Sequence, residues 1–179
     1  MDEEQVVEES ISTELLLEHE FNNPQFLVEA LTHKSFAYEQ GSRLSHNEKL
    51  EFLGDAVLDL VLSAYLMEKF PEDSEGNLSK KRASLVNESV LSKLSQKLGI
   101  DQNMRLGRGE LSSQGRMKPR LLASAYEAIL GAIFLDGGYS VADQLVRNHF
   151  NGLIEMIVGG EDFAADYKTK LQEMTQADI

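Results

Sequence analysis

Apolar residues recur at helical spacing along most of the 179-residue chain, and no run of alternating apolar and polar positions is long enough for a strand. The pattern predicts an all-α domain. Thr13 to His19 reads as a short helix carrying Leu15, Leu16 and Leu17. Asn23-Pro24 supplies an N-cap and a proline at the first helical position, opening a helix through Phe26, Leu27, Ala30 and Leu31 that ends at His33. Ala37 to Leu44, polar and containing Gly41, predicts a loop. From Leu50 to Phe70 apolar residues fall almost all round a helix, the mark of a central, buried element, and Pro71 stops it. Gly54 sits inside that helix at a cost of up to about 1 kcal/mol relative to alanine, so another element should approach its backbone closely.

Glu72 to Gly76 reads as an acidic turn. Leu78, Leu85 and Val86 then mark a helix whose exposed side would carry Lys80, Lys81 and Arg82. Val90, Leu91, Leu94 and Leu98 continue at helical spacing, with Gly99 as a C-terminal cap. Arg105 to Pro119 has no apolar period and several glycines and serines, which predicts an extended basic loop; its Gly-Arg-Gly lacks the Gly-Lys-Ser/Thr of a phosphate-binding loop. Leu121 to Leu135 forms a second buried helix, ended by Gly137-Gly138. Ser140 with Asp143 would cap the next helix, whose Val141, Leu145, Val146, Phe150, Leu153, Ile154 and Ile157 make one apolar stripe. The expected organisation is an acidic, disordered tail over residues 1–10, one domain over 11–158, a linker over 159–165 and a further element over 166–179.

Composition narrows this picture. With 42% hydrophobic and 26% charged residues the chain can bury one good core, so one main domain is the natural count. No stretch reaches the roughly 18 uninterrupted apolar residues needed to span a bilayer, and the acidic start is followed by no signal-type apolar run. The absence of cysteine removes disulfides, thiolate nucleophiles and cysteine-bound zinc, and fits a cytoplasmic address. A net charge of −13 opposes a nucleic-acid partner, because phosphate binding is driven by Lys and Arg. Yet five of the acids, Asp2, Glu3, Glu4, Glu8 and Glu9, lie in the tail, while bases cluster at Lys80 to Arg82 and through Arg105, Arg108, Arg116, Lys118 and Arg120. Composition alone makes each basic cluster a solvated face.

The candidate chemistry lies in the two buried helices. In a helix starting near His46, Glu48, Glu51 and Asp55 fall at i, i+3 and i+7 and share one stripe. Like charges so placed repel unless a cation joins them, and hard divalent cations such as Mg²⁺ favour oxygen ligands. Glu127 is embedded among small and apolar residues, where an unpaired charge is expensive, so it should be paired or bound to metal. Ser45-His46-Asn47-Glu48 also fits a capping box, a second explanation for Glu48. For His33 a hydrogen bond to a neighbouring loop is the expectation, ahead of a ligand role. Phe52 and its neighbours leave the helix apolar beyond what one packed neighbour would cover, which predicts a subunit interface.

The block Asn47-Glu48-Lys49-Leu50-Glu51-Phe52-Leu53-Gly54-Asp55, with Leu31-Thr32-His33-Lys34-Ser35 before it and Ala128-Ile129-Leu130-Gly131-Ala132-Ile133-Phe134-Leu135-Asp136-Gly137-Gly138 after it, resembles the endonuclease domain of the ribonuclease III family in order and spacing, from about Leu15 to Ile157. The resemblance implies a ribonuclease III endonuclease-domain-like helical bundle. It implies an endoribonuclease that cuts double-stranded RNA to 5′-phosphate and 3′-hydroxyl ends with short 3′ overhangs, in processing of rRNA precursors and other structured transcripts. It further implies Mg²⁺, with Mn²⁺ as a substitute, a homodimer, and neither a membrane nor an organic cofactor. By the same resemblance Glu51, Asp55 and Glu127 are metal ligands, Asp55 and Glu127 are catalytic, and Glu48, Glu75 and Lys118 assist at the cleaved phosphate.

One position departs from the family. An aspartate usually stands three residues before the glutamate; here it is Ser124, which removes one negative charge and one direct oxygen contact. A water held by Ser124 would complete the Mg²⁺ shell with weaker affinity, and an increased Mg²⁺ requirement is expected. A non-catalytic RNA-binding or dimerisation module is the alternative if Ser124 abolishes metal binding. A di-iron carboxylate bundle would need Glu-x-x-His pairs, and none of the four histidines follows a glutamate at that spacing. A plain helical interaction protein explains the apolar stripes but not the buried acids. Asp166 to Glu173 resembles the opening of a double-stranded-RNA-binding domain; a complete one needs several dozen more residues, so truncation is expected.

Overall fold

The computed structural model describes residues 19–41 and 44–159. In chain order the helices are α1 (Pro24–Ala30), α2 (Lys34–Glu39), α3 (Glu48–Lys69), α4 (Glu75–Leu85), α5 (Glu88–Lys97), the short α6 (Ile100–Asn103) and α7 (Arg108–Ser112), a 3-10 turn (Gly115–Met117) and α8 (Pro119–Val158). Among the described residues there is no strand, only a bridge between Thr32 and Arg105. The all-α expectation holds. Asn23 accepts from the Gln25 amide to cap α1, with Pro24 in the first turn. Ser74 and Asn87 do the same for α4 and α5, accepting from the amides of Asn77 and Val90. These caps set where the helices begin, and packing holds them.

The core is the seam between α3 and α8, with α1 and α5 laid on α8 and α4 on α3. Leu58, Leu62 and Leu66 of α3 meet Leu122, Tyr126 and Phe150 of α8 there, all with at most 1% of their surface exposed. Each such side chain contributes about 1.5–3 kcal/mol by burial. The α8 helix is long and apolar enough by composition to cross a membrane, but here the other helices cover it. It is two helices in practice, because Gly138 adopts φ 78°, ψ −177°, a conformation closed to side-chain-bearing residues. Beyond this break, the Tyr65 hydroxyl donates to Asn151 Oδ1 at 2.8 Å, and Arg147 joins Glu68 to Asp143, each at 2.9 Å.

Several local expectations change. The stretch Ala37 to Leu44 is not all loop: α2 runs to Glu39, because His33 caps it, its Nδ1 accepting from the Ser35 amide at 3.3 Å. Arg105 to Pro119 is folded into α7 and a 3-10 turn and pinned by backbone bonds from the Arg105 amide to Leu31 (2.8 Å) and from the His33 amide to Arg105 (3.0 Å). Elements of three to five residues are too short to print an apolar period. The capping box at Ser45 does not form. Helix α3 starts at Glu48 after Asn47, whose side chain makes no cap bond, and the entry is fixed by the Asn47 amide donating to the Thr32 carbonyl at 2.9 Å. Glu75 belongs to the first turn of α4 rather than to the acidic turn before it. Asp143 accepts from Arg147 four residues on instead of completing a cap with Ser140. The acidic tail, the helix expected at Thr13 except for His19, and nearly all of the linker and the C-terminal element lie outside the described residues.

Candidate active site

Two glycines bring the candidate residues together. A Cβ on Gly54 of α3 would lie 1.7 Å from the Glu127 carbonyl oxygen, and one on Gly131 of α8 would lie 2.2 Å from that of Leu50. The helices therefore cross backbone to backbone, as the cost of an intrahelical glycine predicted. At the rim of that crossing Glu51 and Asp55 project one turn apart from α3, and Ser124 and Glu127 one turn apart from α8. The Ser124 hydroxyl donates to Glu51 Oε1 at 2.8 Å.

Glu127 registers the consequence. Its partial burial, and then the nearby carboxylates of Asp55, Glu51 and Asp59, push its carboxyl up from 4.5 to about 7. Among the described residues no three Asp, Glu or His side chains converge as a ready-made metal cage. The helices instead present a carboxylate face whose members feel one another. Its donors are all oxygens, and its unrelieved negative charge on Glu127 is what a hard divalent cation would offset, so the residues fit such an ion. Asp59 was not anticipated, although its place one turn beyond Asp55 carried the signal.

The remaining candidates separate into near and far. Glu48 stands beside Glu51 on the wall of a cavity that Ser124 also lines. Its carboxylate accepts from Lys34 Nζ at 2.9 Å, and that hydrogen bond holds it below the ordinary carboxylate range. Lys118, at the N-cap of α8, donates to Glu110 Oε2 at 2.7 Å and Ser113 Oγ at 2.8 Å. It lies two turns before Ser124. Glu75 is exposed and accepts from the Ser79 hydroxyl at 2.7 Å; nothing places it with the carboxylate face of its own chain. The basic clusters are largely engaged internally. Lys81 pairs with Asp73 at 2.7 Å, Arg82 donates to Ser63 at 2.7 Å, and Arg116 donates to the Gln102 carbonyl at 2.7 Å. Arg108 and Arg120 remain exposed.

The domain is a helical bundle with an acidic face at the crossing of its two central helices, and comparison with known proteins gives its class as a nuclease domain. Residues 23–153 match the family described as Ribonuclease-III-like, and the chain belongs to the ribonuclease III family of endoribonucleases. It is 58% identical over 158 residues to Ribonuclease 3 of Bdellovibrio bacteriovorus, covering 88% of this chain and 68% of that one. It is 46% identical over 157 residues to Ribonuclease 3 of Desulforamulus reducens, covering 87% and 63%. The chain spans about two thirds of the length of such relatives, from 62% to 72%. Among solved structures it resembles the nuclease domain of ribonuclease III from Campylobacter jejuni, described with a region involved in dimer formation, at TM-score 0.71 and 42% identity over 78% of this chain and 97% of that one. It also resembles Dicer from Pichia stipitis at TM-score 0.57 and 27% identity, covering 78% and 59%.

Proposed function

We propose that this chain hydrolyses phosphodiester bonds in double-stranded RNA with Mg²⁺ held by Glu51, Asp55 and Glu127, leaving 5′-phosphate and 3′-hydroxyl ends with short 3′ overhangs. The observation that carries the reading is the close crossing of α3 and α8 at Gly54 and Gly131, which gathers Glu51 and Asp55 of one helix with Glu127 of the other; burial and these carboxylates push the Glu127 carboxyl up to about 7, a group poised for a cation. When bound there, the ion supplies activation of a water and neutralisation of charge on the phosphate. The chain's own residues hold and orient. Gly54 and Gly131 fix the spacing of the two helices, the Ser124 hydroxyl steadies Glu51, and Lys34 keeps Glu48 ionised at the edge. Processing of rRNA precursors and other structured transcripts in the cytoplasm is the role this activity would serve. The test is incubation of the full chain with a long RNA duplex at low salt over zero to millimolar Mg²⁺. Cleavage that requires the ion supports the proposal; none at any concentration rejects it.

Ser124 makes a separate prediction. Replacing it with aspartate restores a charge and is expected to lower the Mg²⁺ concentration for half-maximal cleavage by about 10-fold or more, the scale of a supporting group around a metal. An unchanged Mg²⁺ curve would refute this account of Ser124.

The homodimer has its own physical support. Phe52, Leu60 and Met67 are 81%, 57% and 62% exposed, and with the exposed Ala56 and Ala64 they form one stripe along α3. So long an apolar stripe on a core helix suits a second copy of the same helix. It runs beside the Glu51, Asp55, Asp59 row, so antiparallel pairing of two stripes would bring two carboxylate faces to one side of the assembly. Phe52→Asp is expected to convert a dimer to a monomer in sedimentation equilibrium at micromolar concentration, with helix content unchanged.

A further inference from the structure

Beside the carboxylate face lies a cavity of about 270 Å³, walled by the end of the α1–α2 connection, the start of α3, Glu110 of α7 and the first turns of α8; of its carboxylates, Glu48 is paired with Lys34 and Glu110 with Lys118. Asn47 sets it apart. The residue is 2% exposed and lines the cavity, yet its carboxamide does not cap α3 and makes no hydrogen bond in the protein; the two bonds it takes part in are backbone bonds with Thr32 and Glu51. Among the described residues the side-chain polar atoms sealed from solvent without a partner are His46 Nδ1, Asp101 Oδ1 and Arg105 Nε. The Asn47 amide is not one of them, so it opens onto the cavity. A buried carboxamide normally finds partners, and this one faces a cavity where a bound ligand can supply them.

The neighbours narrow the ligand. His33 lines the same cavity, and burial lowers its pKa, which favours the neutral imidazole against the opposite pull of Glu110 and Glu48. His33 Nδ1 accepts from the Ser35 amide at 3.3 Å, so it carries no proton; it also accepts from the Ser35 hydroxyl at 2.8 Å, and the proton of the neutral ring is on Nε2. Nε2–H is thus a second neutral donor. Lys34 is tied to Glu48 at 2.9 Å, whereas Arg120 is exposed at the cavity. Glu51 and Ser124 connect this space directly to the carboxylate face.

The geometry points to this cavity as the seat of a ribose–phosphate unit next to the cleaved bond, with the Asn47 carboxamide reading the 2′-hydroxyl. A 2′-hydroxyl both donates and accepts, which complements a carboxamide, and it is the group by which a protein tells RNA from DNA. The neutral Asn47 and His33 suit a neutral hydroxyl, and Arg120 suits the adjoining phosphate. A pocket of cations alone would hold phosphate and ignore the sugar. The inference rests on the nuclease reading above and adds to it the means of choosing the sugar.

Single-turnover cleavage of a short RNA duplex tests it, with each ribose around the scissile bond replaced in turn by its 2′-deoxy or 2′-fluoro form. Wild type is expected to slow about 5-fold at one sugar adjacent to the cleaved bond, the scale of one hydrogen bond. Asn47→Ala should slow the all-RNA duplex by a similar factor and lose sensitivity at that sugar. Asn47→Ser, which keeps a hydroxyl, should retain part of it. Since no protein group hydrogen-bonds the carboxamide, both variants should unfold within a few degrees of wild type, as circular dichroism melting would show. Full sensitivity in Asn47→Ala, or a flat wild-type profile, overturns the inference and leaves the nuclease standing. A wild-type chain that cuts no duplex overturns the nuclease reading and this inference with it.

Discussion

Replacement of Glu127 by glutamine is expected to give a chain that cuts duplex RNA at least about 10³-fold more slowly yet is harder to unfold in the absence of divalent ions. Both effects follow from removing one negative charge, which is the proposed metal ligand for cleavage and a cost to folding. The Glu127 carboxyl is pushed up to about 7 by its burial and by Asp55, Glu51 and Asp59, so its negative form is strained in the folded chain. Below pH 4.5 folded and unfolded chains both hold the proton and no penalty exists. Between 4.5 and about 7 the unfolded chain ionises first, so stability falls as pH rises; above about 7 the penalty is complete. At face value that shift is worth roughly 3 kcal/mol, but the carboxyl is in part open to water, and screening reduces the figure to about 1–2 kcal/mol. Glutamine removes it. The melting-temperature gain of Glu127→Gln over wild type should therefore grow from pH 4.5 to 7 and level off above. Millimolar Mg²⁺ should close the gap by stabilising wild type and not the variant. A variant no more stable than wild type at pH 8 without Mg²⁺ would mean that neither burial nor the facing carboxylates penalise the charged Glu127.

How much of this site was legible in the sequence depends on the range of the interactions that build it. Glu51 and Asp55 were legible because helical spacing alone puts them on one face, and Glu127 because a charge among small apolar residues needs a reason. Gly54 was legible for the same kind of reason, an intrahelical glycine being tolerated where a backbone comes close. Glu48 was read in two ways, and Lys34, fourteen positions earlier, decided between them by drawing the carboxylate out of the capping position. The α7 segment and its 3-10 turn escaped notice because what shapes them is distant. A Cβ on Gly107 would lie 2.8 Å from the Ser35 carbonyl, and the Ser35 hydroxyl accepts from the Gly107 amide. Lys118 and Glu75 carried roles through resemblance alone; their side chains are held by Glu110 and Ser79. Asn47 was legible only as a member of the family block, with no sign of a cavity role, because a cavity is a property of four segments brought together.

Gly54→Ala should be the most damaging small substitution in the domain. A methyl group there would sit 1.7 Å from the Glu127 carbonyl oxygen, and the opposing atoms are backbone, which cannot rotate aside as a side chain would. The helices must separate along the seam that carries Leu58, Leu62, Leu122 and Tyr126, giving up close packing as well as absorbing the clash. Overpacking ordinarily costs 1–3 kcal/mol, and moving two core helices apart puts this case at about 4 kcal/mol or more, a large share of the 5–15 kcal/mol that holds a domain together. Gly131→Ala should do nearly the same, since its methyl would lie 2.2 Å from the Leu50 carbonyl. Gly152→Ala is the contrast. It is also a glycine in α8, but nothing lies within 4 Å of its added methyl, so the helix gains about 0.5–1 kcal/mol from reduced chain freedom. Urea unfolding of the three variants separates a general dislike of alanine from a contact between helices. Equal small effects at all three positions would show that α3 and α8 do not meet at Gly54 and Gly131. With the expected order, the same two glycines that hold the fold together also set the distance from Asp55 to Glu127, so any Gly54→Ala protein that still folds should have lost its Mg²⁺-dependent cleavage along with its stability.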